Sequence, residues 1–174
     1  MSEIGLKIVV LGDEEVGKTS IILKYVENRF TEDYKPTLGA DFAIKEIRYN
    51  GVEIKLYLWD IGGTDKYRNL HKFYFEGANV FLIVFDLTRP DTLEHMNNIW
   101  LEDIKANSGP VPIILVGNKN DLKDQRLISP EQVQHETSDL IALTIETSAK
   151  TGQNIEDLFQ KTLKILDLNS LGNK

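Results

Sequence analysis

The chain has 174 residues, of which 41% are hydrophobic and 27% are charged, the composition of a globular protein of ordinary size. Its net charge of −7 argues against binding to the phosphates of nucleic acids. The absence of cysteine excludes disulfides, zinc–thiolate sites and thiol catalysis, and it fits a reducing compartment. We therefore expect one cytoplasmic domain, residues 1–174, and a monomer, because nothing in the sequence indicates an oligomer.

Neither end of the chain carries a membrane signal, and no apolar stretch approaches the length of a membrane span. The first residues, Met1 to Glu3, match neither a signal peptide nor a myristoylation signal, because the second residue is not glycine. Residues 169–174 contain neither a cysteine for prenylation nor a basic run. We expect no lipid anchor in this chain, so binding to a membrane surface would require a natural tail or a partner outside this sequence.

Along the chain, strand patterns alternate with helix patterns. The apolar run 6–11 predicts a strand, and Lys18–Glu27 predicts a helix. Residues 42–49 and 53–59 alternate between apolar and polar side chains on either side of Asn50-Gly51, a strong indication of a hairpin with a two-residue turn. Four later segments have helical patterns: residues 65–76, which are irregular, and residues 91–106, 130–139 and 155–168.

Three further apolar runs complete a predicted sheet. Val80–Asp86 and residues 112–117 are continuously apolar, as expected of strands buried on both faces, and residues 141–145 predict a short last strand. Alternation of strands and helices with one hairpin predicts an α/β fold with a doubly wound sheet. Such folds bind ligands at the carboxyl ends of their strands. The apolar stripe of the last helix would also suit a membrane surface, but its polar face lacks a strong basic excess, so we favour docking on the sheet.

A phosphate-binding motif follows the first strand. Residues 12–19, GDEEVGKT, match G-x-x-x-x-G-K-[ST] between a predicted strand and a predicted helix. The glycines let backbone N–H groups surround a phosphate chain, and Lys18 adds a full positive charge. The Thr19 hydroxyl is placed to bind Mg²⁺. The alternative, a glycine-rich turn with a stray lysine, fits this context poorly. The candidate nucleotide contacts of the loop are Asp13, Glu14, Glu15, Val16, Gly17, Lys18, Thr19 and Ser20.

Two later motifs predict which base is bound. Residues 118–121, NKND, follow a buried strand, and the carboxylate of Asp121 can accept both donors of a guanine edge, which adenine does not offer. Asn118 can join loops or reach the base, and the stem of Lys119 can lie over the purine plane. Alone, these four residues would be a surface turn. They are followed after the next strand by ETSAK, where Ser148, Ala149 and Lys150 are the candidates for contacts with guanine O6.

In this order, the three motifs resemble those of the Ras superfamily of small GTPases over essentially the whole chain. Residues 37–42, TLGADF, are similar to the Rab-type switch I, and LWD at 58–60, YR at 67–68 and YFEGA at 74–78 are also Rab-like. The IGG run at 61–63 leans toward the Arf pattern. The resemblance implies a P-loop NTPase fold, a Ras-like G domain with about six strands. The sheet would be mostly parallel with one antiparallel hairpin strand, and helices would cover both faces.

The resemblance also implies a GTP/GDP switch with GTPase activity, of a trafficking or regulatory type, that uses Mg²⁺. Thr37 would join Thr19 on Mg²⁺ in the GTP state, and Asp60 would hold the metal shell through water. The N–H of Gly63 would contact the γ-phosphate. These assignments make Thr19, Thr37 and Asp60 the candidate metal ligands.

Two mobile loops are implied as well, at about residues 30–40 and 61–74. Contacts with the γ-phosphate and Mg²⁺ would order both loops, and hydrolysis would release them. Phe30 would stack beside guanine, and Tyr34 would close over the phosphates. Effector proteins would bind these loops in a GTP-dependent manner, and an exchange factor and an activating protein are further candidate partners.

The predicted catalytic residues are Lys18, Thr37, Gly63 and Thr64, and the chain departs from the family pattern at Thr64 and at Glu14 of the phosphate-binding motif. The family has glutamine directly after D-x-x-G to orient water, but Thr64 occupies that position and cannot reach as far. Glu14 would crowd the γ-phosphate and hinder an arginine supplied by a partner, unless it points to solvent with Glu15. We therefore expect slow hydrolysis, and a non-hydrolysing GTP-binding scaffold is the alternative. A kinase or ATPase is disfavoured by the guanine motifs.

Three histidines and two tryptophans receive no catalytic role. His71, His95 and His135 fall on separate predicted helices without metal-ligand spacing, so we expect surface or hydrogen-bonded residues. Trp100 is interpreted as packing between helix and sheet. Trp59 is interpreted as packing with a share in partner contact.

Overall fold

The computed structural model describes residues 4–168, so the predictions about the first three and the last six residues lie outside the described residues. Within this range, six strands are present: β1 Ile4–Leu11, β2 Ala40–Tyr49, β3 Val52–Ile61, β4 Val80–Asp86, β5 Ile113–Asn118 and β6 Ile141–Glu146. The helices are α1 Lys18–Glu27, α2 His71–Phe75, α3 at residues 90–107, α4 Pro130–Glu136 and α5 Ile155–Ile165. Short 3₁₀ turns at Asp65–Leu70 and Lys123–Gln125 complete the elements.

The six strands form one sheet in the order β2-β3-β1-β4-β5-β6. All neighbouring pairs are parallel except β2 and β3, which are antiparallel. This confirms the predicted α/β fold with about six strands and one antiparallel hairpin strand. Because β1, β3, β4, β5 and β6 run in the same direction, the loops that follow them lie at one edge of the sheet, where the three motifs meet.

The hairpin forms at the predicted turn. Tyr49 pairs with Val52, which leaves Asn50 and Gly51 as a two-residue loop. Both loop residues have positive φ, 49° and 83° respectively, the backbone that a tight turn between twisted strands requires. Asparagine and glycine adopt this conformation at little cost, which is why the dipeptide predicts the turn.

Alternate residues of β1 belong to two cores on opposite faces of the sheet. Ile8 and Val10 pack with α1 and α5, while Val9 and Leu11 pack with α3. Tyr25 of α1 stacks on Phe159 of α5 with ring centroids 3.7 Å apart. The apolar stripe of the last helix is therefore buried on the sheet, as we predicted. No helix within residues 4–168 is long and apolar enough to cross a membrane.

Helix α3 is not a regular α-helix, which the periodicity did not predict. Its first part, Pro90–His95, and its last part, Glu102–Asn107, are α-helical, but Met96–Leu101 between them form a π-helical turn. A π turn inserts residues into the helix and shifts which side chains share a face.

Two other helices end earlier than their sequence patterns suggested. Helix α4 stops at Glu136, because Thr137 is extended and its N–H returns to the last turn. Helix α5 stops at Ile165, and Asp167 has a left-handed backbone with φ of 41° that does not continue a helix.

Candidate nucleotide-binding cleft

A cleft of about 690 Å³ opens at the carboxyl edge of the sheet. Most of the predicted contacts line it: Glu14, Glu15, Gly17, Lys18, Thr19, Ser20, Phe30, Tyr34, Thr37, Gly63, Asn118, Lys119, Asp121, Ala149 and Lys150. Five predicted residues do not line it: Asp13, Val16, Asp60, Thr64 and Ser148. Residues that we did not predict also contribute, namely Leu23, Arg29, Thr31, Glu32, Asp33, Lys35 and Leu122.

The loop from Gly12 to Lys18, the P-loop, depends on its glycines. Gly17 has φ of 101°, and a Cβ there would lie 2.2 Å from Nδ2 of Asn118. Gly12 has φ of 140°, and a Cβ there would lie 2.2 Å from the carbonyl oxygen of Val84. Gly17 also begins α1 without a side-chain cap, so the first N–H groups of the helix are available to an anion in the cleft.

Lys18 is buried beneath the P-loop. Its Nζ donates to the carbonyl oxygens of Gly12 at 2.7 Å and Asp13 at 2.6 Å. Burial lowers the pKa of Lys18 to about 8, although the carboxylates of Asp60, Asp13 and Glu14 act in the opposite sense. A phosphate oxygen would stabilise the charged form of this buried ammonium group, because it would add a negatively charged acceptor to the two carbonyl oxygens.

Three oxygen-bearing side chains from distant segments converge next to Lys18. Oγ1 of Thr19 lies 3.1 Å from Oγ1 of Thr37, and Oδ2 of Asp60 accepts hydrogen bonds from both hydroxyls. Burial raises the pKa of Asp60, against the hydrogen bonds of Thr19 and Thr37 and the charge of Lys18. Oδ1 of Asp60 is buried without a partner among the described residues. This set of oxygens, with one acceptor unused, fits Mg²⁺, which prefers oxygen ligands.

Asn118 organises the base end of the cleft by joining loops. Its Nδ2 donates to the carbonyl oxygen of Val16, and its Oδ1 accepts from Oγ1 of Thr147 and N of Ala149. Of its two predicted roles, the structure shows the loop-joining one. Val16 itself is fully buried in the core, so its side chain does not face the cleft.

The remaining base-site residues are held by ion pairs and hydrogen bonds. Ser148 is buried, and its hydroxyl donates to Oδ1 of Asp121 at 2.7 Å, which orients the carboxylate. Nζ of Lys119 lies 2.6 Å from Oδ2 of the buried Asp86, which fixes the lysine stem along the cleft wall. Lys150 pairs with Glu32 of the loop before β2 at 3.0 Å, which links the base site to the predicted switch I.

Comparison with known sequences identifies the family of the protein. A sequence model of the Ras family matches residues 7–167.

The chain belongs to the Ras family.

It is similar to the Ras-related protein Rab-1 of Theileria parva and to that of Theileria annulata. Each is 36% identical over 161 residues, which cover 92% of this chain and 73% of the relative.

The match places the chain among Rab-like small GTPases of the Ras family, which confirms the predicted family and fold. Members of this family hydrolyse GTP, bind GTP and GDP, typically with Mg²⁺, and generally bind effectors, exchange factors and activating proteins. Thr64 and Glu14 are the positions at which the sequence predicted a departure from the family pattern.

Thr64 follows a glycine that is pressed against the P-loop. A Cβ at Gly63 would lie 2.4 Å from the backbone nitrogen of Glu14, so only glycine fits. The Oγ1 atom of Thr64 is buried without a partner among the described residues, and the residue does not line the cleft. The carboxylate of Glu14 is exposed yet lines the cleft, and its charge acts on both Lys18 and Tyr34.

Two aromatic residues of the predicted switch I lie at the mouth of the cleft. Phe30 and Tyr34 are 36% and 50% exposed, so in this Ras-family structure neither is packed into the core. Burial and the charges of Glu14 and Glu15 raise the pKa of Tyr34. Their exposure leaves both rings free to cover a bound ligand.

Helix α3 makes contacts with the P-loop that sequence reasoning missed. The carboxylate of Asp13 turns away from the cleft and accepts hydrogen bonds from His95 at 2.6 Å and Trp100 at 2.8 Å. Nη1 of Arg89 donates to the carbonyl oxygen of Glu14 at 3.0 Å. Asp13 was predicted to contact nucleotide, and Trp100 was interpreted as packing alone. The π turn determines which side chains of α3 lie on the same face, and the periodicity of the sequence does not reveal it.

A further buried pair lies between α2, within the second predicted mobile loop, and α3. His71 is fully buried and forms a hydrogen bond with Asp103, and its ring contacts those of Phe75 and Trp100. Of the two predicted alternatives, His71 is therefore the hydrogen-bonded one, in the core, while His135 is the surface one and is 87% exposed.

Proposed function

We propose that this Ras-family protein binds guanine nucleotides with Mg²⁺ and acts as a GTP/GDP switch with slow GTP hydrolysis, in one domain, residues 1–174. The observation that carries the proposal is the convergence of Thr19, Thr37 and Asp60 beside Lys18. These oxygens come from the first turn of α1, the predicted switch I and the end of β3. A ligand that binds all three oxygens would therefore hold these separate segments in one conformation, and its loss would release them.

Guanine is the base that fits the far end of the cleft. The carboxylate of Asp121, oriented by Ser148, can accept both donors of a guanine edge, whereas adenine presents no such pair. The stem of Lys119 and the ring of Phe30 would flank the purine. The backbone N–H groups of Ala149 and Lys150 would meet the base's carbonyl oxygen.

At the phosphate end, the chain's own groups supply the positive charge. Lys18 would donate to the outer phosphates, the N–H groups of the P-loop and of Gly63 would surround them, and Tyr34 would close over them. Thr19 and Thr37 would hold Mg²⁺ directly and Asp60 would hold it through water. When bound, Mg²⁺ neutralises phosphate charge that builds up during transfer.

Slow hydrolysis follows from two side chains. In hydrolysis, the oxygen of a water bonds to the γ-phosphorus as the bond to the β–γ bridging oxygen breaks, and that water must be held in line. The Thr64 hydroxyl is buried and outside the cleft, so it does not hold that water. Glu14 places a negative charge at the cleft where a partner's arginine would enter.

The aromatic row Phe42, Trp59 and Tyr74 supports GTP-dependent effector binding. The Phe42 and Trp59 rings are 5.5 Å apart and the Trp59 and Tyr74 rings are 6.2 Å apart. Phe42 is 54% exposed, although it is a large apolar side chain. The row joins β2, β3 and α2, which lies at the end of the second predicted mobile loop, so movement of either predicted loop would reshape it. An exchange factor and an activating protein are further proposed partners, and the cytoplasm is the proposed location.

The alternative is a GTP-binding scaffold that does not hydrolyse its ligand. It is favoured by the same Thr64 geometry, because no glutamine is present at that position. Against it, all three candidate Mg²⁺ ligands are retained and assembled, as a protein that senses the γ-phosphate requires.

The experiment is chromatography of nucleotide released from the purified protein, before and after incubation with GTP and Mg²⁺. Conversion of GTP to GDP over minutes to hours supports the slow switch. GTP that persists unchanged supports the scaffold. Adenine nucleotide, or no nucleotide in either sample, contradicts the proposal. A Lys18→Ala preparation measures hydrolysis by contaminating enzymes.

A further inference from the structure

The π turn of α3 creates a face that an α-helix lacks. His95 and Trp100 are five residues apart, and an α-helix turns about 100° per residue, so it would separate them by about 140°. The π-helical segment Met96–Leu101 alters this spacing, and both side chains reach Asp13. Single π turns within α-helices occur frequently at functional sites.

Both carboxylate oxygens of Asp13 are held by this face. Nδ1 of His95 lies 2.6 Å from Oδ2, and Nε1 of Trp100 donates to Oδ1 at 2.8 Å. The carbonyl oxygen of the same residue accepts from Nζ of Lys18 at 2.6 Å. Asp13 therefore connects α3 to the ammonium group at the phosphate end of the cleft.

The charges around His95 favour its protonated form. The hydrogen bond to Asp13 raises the pKa of His95, burial lowers it, and the charges of Asp13, Asp91 and Glu94 raise it further. Arg89, the residue before the helix, donates to Asp91 and to the carbonyl oxygen of Glu14.

Glu136 belongs to α4, the helix packed beside α3, and its carboxylate accepts a hydrogen bond from Asn97. The charged groups around His95 are therefore mainly carboxylates, and protonated His95 makes a charge-assisted bond to the P-loop.

We propose that His95 and Trp100 are positioning residues that hold Asp13 and thereby keep the P-loop and Lys18 arranged for the outer phosphates. The inference rests on the proposed guanine-nucleotide binding. Neither side chain touches the ligand; both act through Asp13. Loosening either bond lets the loop relax, so bound nucleotide leaves faster. Because one of the two donors is an imidazole, release also becomes faster as pH rises and His95 loses its proton.

The test is the release rate of a fluorescent guanosine diphosphate from the full chain with Mg²⁺, measured between pH 5.5 and 8.5. We expect Trp100→Phe and His95→Ala each to speed release at pH 6 by about two- to tenfold, the effect of one hydrogen bond. His95→Asn retains a neutral donor, so we expect release close to that of the unaltered protein at high pH and a flat pH profile.

Two comparisons separate positioning from general loosening. In an Asp13→Asn background, His95→Ala should change the release rate by less than about twofold, because the acceptor charge is already gone. The matched control is His135→Asn on α4, where the histidine is exposed and pairs with the neighbouring Glu136; it should leave release unchanged. Thermal melting of each variant establishes that it is folded, and His95→Asn decides the test if Trp100→Phe unfolds.

Each outcome bears on a different claim. If the unaltered protein binds guanine nucleotide but both His95→Ala and Trp100→Phe release it at the original rate, the positioning role is wrong and the proposed function stands. Equal acceleration by His95→Ala with and without Asp13→Asn also overturns the role. A protein that binds no guanine nucleotide overturns both.

Discussion

Nδ2 of Asn118 donates a 3.0 Å hydrogen bond to the carbonyl oxygen of Val16, which joins the base-site loop to the P-loop across 102 residues of chain. The same side chain accepts hydrogen bonds from Thr147 and Ala149. Asn118 is only 2% exposed, so water does not readily replace these partners. One amide therefore sets the relative positions of three loops that surround the cleft.

Replacing Asn118 with alanine should weaken both the fold and nucleotide binding. The change leaves two buried donors and one buried acceptor without partners, and we expect a loss of about 3 kcal/mol in the free energy of unfolding. We also expect guanine-nucleotide affinity to fall by about a hundredfold or more. Urea unfolding and fluorescent-nucleotide titration measure the two effects. Asn98→Ala, at an exposed position on α3, is the control, and equal losses in both variants would refute the loop-joining role.

Thr64→Gln should speed hydrolysis. Glutamine carries an amide two bonds farther from the backbone than the Thr64 hydroxyl, so it can reach a water beside the γ-phosphate. We expect single-turnover GTP hydrolysis to rise by roughly a hundredfold, measured by phosphate release with Mg²⁺. Thr64→Asn adds an amide with shorter reach and should change the rate little. A Thr64→Gln protein no faster than the unaltered one would show that the missing glutamine is not the limitation.

Glu14→Gln should shift the preference between GTP and GDP. The change keeps the shape of the side chain but removes a charge at the cleft that acts on Lys18. Because GTP carries the additional phosphate, its affinity should rise relative to that of GDP, by about fivefold at the effective dielectric of a protein surface. Competition titrations give the ratio. Glu131→Gln, on the exposed face of α4, serves as control, and an unchanged ratio in Glu14→Gln would mean that this carboxylate points away from the phosphates.

The stability of the protein should depend on the protonation of His95. Its pKa is raised above 6.5, chiefly by the hydrogen bond to Asp13, so the folded chain holds this proton more tightly than the unfolded chain. The stabilisation is complete below about pH 6.5 and is lost as pH rises through the folded-state pKa. Between pH 5.5 and 8.5, the unaltered protein should have a higher melting temperature than His95→Asn at low pH. The difference between the two melting temperatures should decrease as pH rises. His135→Asn should show no such trend, and a constant gap for His95→Asn would contradict the linkage.

Much of the fold could be predicted because local patterns agreed with the tertiary environment. The turn at Asn50-Gly51 formed where the dipeptide requires it, and Val80–Asp86 became a strand buried on both faces. The Lys18–Glu27 helix has the predicted bounds. The ends of α4 and α5 were placed too late, because tertiary contacts and single backbone conformations end a helix before its apolar pattern does.

By itself, the sequence determined the order of the elements, the three nucleotide motifs and their place after the strands, since these depend on short-range periodicity and on residues that are adjacent in the chain. The tertiary structure decided how distant side chains meet. It turned Asp13 from the cleft toward His95 and Trp100, buried His71 against Asp103, and left the Thr64 hydroxyl without a partner within residues 4–168. The reason is physical: a hydrogen bond depends on direction and on tenths of an ångström, and such positions follow from the packing of the helices and strands around the sheet.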